Sequence, residues 1–118
     1  MPNGYTKYRQ SPSSLAIIPG EYILRFLGIK KRGFWIFSSY VWFFEVIYGP
    51  GTGRVVTGVT GTKYREGSKL VRWTFATSKT QYITPPIFRV GSFVRACLEE
   101  DLWGKIYVAV VNPMLDAR

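Results

Sequence analysis

Lys30, Lys31 and Arg32 run almost directly into Phe34, Trp35 and Phe37, with only Gly33 and Ile36 interposed. Cationic side chains pair with phosphate oxygens, and flat aromatic faces stack on unpaired bases. Their adjacency is the chemistry of a groove that follows a single nucleic-acid strand without reading its sequence. The pattern recurs at Lys63, Tyr64 and Arg65, and further cations stand at Arg25, Arg54 and Arg72. The candidate phosphate contacts are therefore Arg25, Lys30, Lys31, Arg32, Arg54, Lys63, Arg65 and Arg72. The candidate stacking faces are Trp35, Phe37, Tyr40 and Tyr64.

The whole chain supports that reading. Its 118 residues include sixteen Lys/Arg against seven Asp/Glu, no histidine, and four Trp, eight Tyr and eight Phe. The charge is unevenly placed: residues 1–95 carry fourteen basic and three acidic side chains, a net +11, whereas residues 96–118 carry a net −2. A one-sided basic balance is the electrostatic footprint of a polyanion partner.

Other chemistries fit poorly. Without histidine the commonest general base is missing, and no nucleophile–base pair stands out, so an enzyme is not expected. A zinc site of the usual kind needs more than the lone Cys97. Glu99, Glu100 and Asp101 could hold Mg²⁺, but a solvated turn before Trp103 and Gly104 is the simpler reading. Gly49, Gly51 and Gly53 suggest a phosphate loop, yet no Gly-Lys-Ser/Thr follows, and a hairpin turn suits them better. No cofactor is expected. Cys97 alone forms no intramolecular disulfide, which fits a reducing, cytoplasmic setting, the host cytoplasm for a viral protein. The start Met1-Pro2-Asn3-Gly4-Tyr5 lacks the charged-then-apolar pattern of a signal peptide. The apolar run 34–48 is short for a helical membrane span and reads as a buried strand, so no membrane partner is expected.

These side chains need a scaffold. The length allows one domain with a modest core. Residues 1–14 read as a flexible N-terminal arm and residues 15–118 as the folded nucleic-acid-binding domain. Strands are expected over 21–29 and 34–48, joined by a basic turn, and over 54–62 after the Gly/Pro turn. Gly58 and Gly61 suggest a bulge or bend in that third strand. Ser68 can cap a short helix over 69–76, with Leu70 and Trp73 on one face to plug a barrel and Lys69 and Arg72 turned elsewhere. A loop over 78–86 precedes strands over 92–99 and 105–111. The fold class is thus all-β. Five strands with a short helix between strands 3 and 4 is the order of an OB-fold barrel, whose strand 2–3 face binds oligonucleotides. An SH3-like barrel is the alternative.

The second strand is apolar on both parities, and one small barrel cannot bury both. Glu45 marks its own parity, with Trp35, Phe37 and Phe43, as the less buried one. A bulge near Ser38 and Ser39 would bring Tyr40 onto that face. Trp73 and Phe44 are the expected core members, and Trp103 fits either role. The surplus apolar surface must meet a ligand, the N-terminal arm or a second copy, so a homo-oligomer is expected.

The spacing of Gly20-Glu21-Tyr22, Trp42-Phe43-Phe44-Glu45-Val46, Gly49-Pro50-Gly51-Thr52-Gly53-Arg54, Gly67-Ser68-Lys69-Leu70 with Trp73, Val90-Gly91 and Gly104-Lys105 resembles small OB-fold single-stranded DNA-binding proteins of phage and mobile-element type. The resemblance covers roughly residues 19–112 and lies in turns and core positions rather than in contacts. It implies an OB barrel that sequesters single-stranded DNA during replication or recombination. Bacterial members commonly end in an acidic recruiting tail, and the final residues here, Asn112 onward, do not have that character. RNA is the rival strand, and a virion subunit or protein-interaction module the rival role.

Overall fold

A computed structural model of the chain describes residues 16–78 and 90–114. The expected arm over 1–14 and most of the expected loop over 78–86 lie outside these residues. Five strands form one antiparallel sheet: β1 (Gly20–Arg32), β2 (Ser39–Tyr48), β3 (Val55–Thr60), β4 (Phe93–Glu100) and β5 (Ile106–Pro113). Among the described residues one α-helix, α1 (Lys69–Ser78), lies between β3 and β4. The order across the sheet is β3-β2-β1-β4-β5, so the long β1 is central and pairs with both β2 and β4.

Alternation along the strands sorts the sheet into two faces. The inner face carries Leu24 and Phe26 from β1, Trp42, Phe44 and Val46 from β2, Val56 from β3, Val94, Ala96 and Leu98 from β4, and Val108 and Val111 from β5, all buried. Helix α1 lays Leu70, Trp73 and Ala76 against this layer. Trp73 meets Trp42 edge-on with ring centroids 5.3 Å apart, and Phe44 at 6.0 Å. Such tilted aromatic contacts add to the area they bury. The indole of Trp42 donates to Thr60 Oγ1 at 2.9 Å, so its polar edge is satisfied inside the core. Ser68 caps α1 as expected, its Oγ accepting from the Val71 amide at 3.1 Å.

Three expectations change. The first strand continues through Lys30, Lys31 and Arg32, which pair with Val41, Tyr40 and Ser39 instead of forming a turn. The second strand begins only at Ser39; Trp35–Phe37 form a 3-10 turn at the hairpin tip. A continuous strand over 34–48 would put half of those side chains on the far side of a single-core sheet, and the chain turns there. Third, β3 pairs with β2 in unbroken register from Tyr40↔Thr60 to Glu45↔Val55, with no bulge at Gly58. The irregularities lie between Ile23 and Leu24, between Phe26 and Gly28, and between Cys97 and Leu98. They fall in β1 and β4. A Cβ at Gly58 in β3 would lie 2.9 Å from the Val108 carbonyl oxygen of β5.

Candidate nucleic-acid interface

The β1–β2 hairpin concentrates the expected chemistry. Lys30, Lys31 and Arg32 are all exposed on its rising strand. Beyond them, Phe34, Trp35, Ile36 and Phe37 are 77–83% exposed. The tip is held by Phe37 N donating to Phe34 O and Ser38 N to Trp35 O, each at 3.2 Å. Gly33 permits this shape: its φ is +76°, and a Cβ there would sit 2.5 Å from the Phe37 carbonyl oxygen. Trp35 has a φ of +62°, the one left-handed non-glycine residue among those described. For a bulky side chain that conformation costs about 1–3 kcal/mol. No burial of Trp35 offsets it, since the indole stands 83% exposed.

The outer face of the sheet continues from this hairpin. Across β1, β2 and β3 the registers set Lys30 beside Val41 and Val59, then Gly28 beside Phe43 and Thr57, then Arg25 beside Glu45 and Val55. Open space lies over Gly28, the cross-strand partner of the half-buried Phe43. Further along the face, Glu21, Ile23, Tyr48, Arg95, Cys97 and Asn112 border a depression of about 320 Å³.

The other expected contacts divide. Lys63 and Arg65 are exposed and follow the end of β3, the end that Thr60 and Tyr40 align with Lys31. They join the hairpin end of the molecule. Arg25 is engaged by Glu45, its cross-strand neighbour, with Nη2 2.5 Å from Oε1. Arg54 is exposed at the start of β3, the far end from the hairpin tip. Arg72 donates to the Gly67 carbonyl at 2.7 Å. Beside it, Lys69 lies over the Trp73 ring at 4.8 Å rather than pointing to solvent. Burial pushes the Lys69 ammonium below its ordinary pKa, Arg72 adds to this, and Glu99 opposes it. Tyr40 and Tyr64 are half-buried and pack on the core, so neither offers a fully open stacking face.

Among the described residues, Phe34, Tyr48, Phe93 and Trp103 are exposed aromatics that the expected stacking set does not include. Trp103 is 86% exposed and Leu102 94% exposed at the β4–β5 turn. Asp101 shapes that turn, its Oδ1 accepting from the amides of Trp103 at 2.8 Å and Lys105 at 2.9 Å. The Asp-Leu-Trp-Gly run between two strands is the sequence signal for it. Among the described residues no group of acidic, cysteine or histidine side chains has the arrangement of a metal site. No described helix is long and apolar enough to cross a membrane. Compared with known proteins, the chain matches no family model, no curated protein and no solved structure.

Proposed function

We propose that this protein binds single-stranded DNA without sequence preference, coating and protecting it in replication or recombination. The observation that carries the reading is the β1–β2 hairpin, where a strained, exposed Trp35 stands directly above Lys30, Lys31 and Arg32. Phosphates meet the three cations of the hairpin together with Lys63 and Arg65. Bases stack on Trp35 and Phe37 and pass along the outer face toward Phe43. Stacking contributes about 1–3 kcal/mol per base and tolerates any base, because every base has a π-face.

The scaffold for this role is an OB-type barrel, with β3 and β5 closing over α1. The close approach of Gly58 to the Val108 carbonyl and the order of five strands with one intervening helix support that closure. Fluorescence anisotropy with labelled oligo-dT, oligo-rU and a blunt duplex of equal length tests the function. Tight binding of oligo-dT with weak duplex binding is expected, and the oligo-rU arm reports whether the groove accepts a 2′-hydroxyl. A preference for duplex would remove the single-strand reading.

A further inference from the structure

The two hairpin tips are opposites in charge and alike in apolar exposure. The β1–β2 tip presents Phe34 and Ile36, 77% and 81% exposed, above Lys30, Lys31 and Arg32. The β4–β5 tip presents Leu102 and Trp103, 94% and 86% exposed, next to Glu99, Glu100 and Asp101. The cations near these carboxylates are Lys105 in the turn and the half-buried Lys69, which interacts with Glu99. Carboxylates beside Trp103 repel phosphate, so this aromatic is poorly placed to stack on a DNA base. The same carboxylates suit a basic surface.

The registers put the two tips at opposite ends of β1. Gly20 opens β1 and pairs with Leu98, so the β4–β5 tip lies past the strand's beginning. Arg32 closes β1 and pairs with Ser39, so the β1–β2 tip lies past its end. One molecule therefore carries a basic apolar knob at one end and an acidic apolar knob at the other. We propose that copies of this chain associate head to tail, the β1–β2 hairpin of one docking against the β4–β5 hairpin of the next. Phe34 and Ile36 meet Leu102 and Trp103, while Lys30, Lys31 and Arg32 face Glu99 and Glu100. Because the two surfaces differ, the contact is heterologous and builds open chains or rings, not closed two-fold dimers. Because the same three cations are the proposed phosphate contacts, assembly and strand binding compete for the β1–β2 hairpin. The inference does not depend on strand binding.

Sedimentation velocity of the full chain without nucleic acid, over a micromolar concentration series, tests it. The wild type should grow beyond a dimer with concentration. A Leu102→Ser/Trp103→Ser variant and a Phe34→Ser/Ile36→Ser variant should each remain monomeric. Both replace only highly exposed side chains, so their melting curves should overlay the wild type. Mixed in equal amounts, the variants should form a dimer and nothing larger, because each retains one intact half of the contact. A monomeric wild type, variants that assemble as the wild type does, or a mixture that stays monomeric would each overturn the proposal. Oligo-dT affinity is a separate measurement, so failure of assembly leaves strand binding standing, and the reverse.

Discussion

Trp73 occupies the space that a side chain at Gly58 would fill. A Cβ at position 58 would lie 2.5 Å from Cη2 of the Trp73 ring and 2.9 Å from the Val108 carbonyl oxygen. Helix, third strand and fifth strand meet at this point. Gly58→Ala must displace either the indole or the β5 backbone, so a loss of about 1–3 kcal/mol is expected from overpacking. Trp73→Ala opens a cavity at the same place and should cost about 3–5 kcal/mol. Urea unfolding of both variants checks this; a Gly58→Ala protein as stable as the wild type would show that the helix does not seat there.

Much of the architecture is legible in the residues, and the exceptions have physical causes. Ser68 followed by Leu70 and Trp73 at helical spacing marks a capped helix with one apolar face, and such a helix forms. Gly58 is misread as a bend because sequence cannot tell a glycine that frees the backbone from one that makes room for a neighbour. The run over 34–48 is apolar on both parities, so alternation carries no sign of where the strand begins. That boundary depends on Gly33, whose φ of +76° turns the chain where a Cβ would clash with the Phe37 carbonyl. The engagement of Arg25 by Glu45 follows from a register shifted by bulges in β1, which no spacing rule predicts. Exposure of Trp35 is expected, but from its parity with Glu45; it is exposed because it sits at a hairpin tip.

Trp35 should separate binding from stability. Trp35→Ala is expected to weaken oligo-dT binding by about 1–3 kcal/mol, the loss of one stacked base, with little change in melting temperature. Trp35→Gly should bind as weakly yet melt higher, because glycine accepts the φ of +62° without strain. Binding and melting curves recorded on both variants decide. Normal binding by Trp35→Ala would remove the indole from the interface.

The basic residues should not be equivalent. Lys31→Ala should lower the magnitude of the log–log salt slope for oligo-dT by about 0.7, the share of one phosphate contact on a single strand. Arg25→Met should leave the slope unchanged, since Glu45 already engages that guanidinium. Its stability effect should be about 0–1 kcal/mol, as for other partly exposed ion pairs. A slope that falls for Arg25→Met and not for Lys31→Ala would move the phosphate track off the hairpin and onto the middle of the sheet.

Lys69 should titrate below the ordinary lysine value, chiefly because it is partly buried against Trp73. Between its folded pKa and the ordinary lysine value of 10.5, the unfolded chain holds a proton that the folded protein does not. Its contribution to stability therefore rises with pH across that window. Lys69→Met should remove this rise. Two-dimensional NMR of the lysine side chains gives the titration, and denaturant curves across the alkaline range give the slope. A Lys69 that titrates at or above the ordinary value would contradict the burial.

The salt dependence of oligo-dT binding tests strand binding most directly. Three to six phosphate contacts, at about −0.7 each for a single strand, predict a log–log slope of about −2 to −4. Fluorescence anisotropy on labelled oligo-dT over a salt series measures it, with a mixed-sequence oligonucleotide as a control for sequence preference. A slope in that range, shared by both oligonucleotides, is the expected result. A flat slope, or no binding at low salt, would contradict the assignment of the β1–β2 hairpin as a single-strand DNA interface.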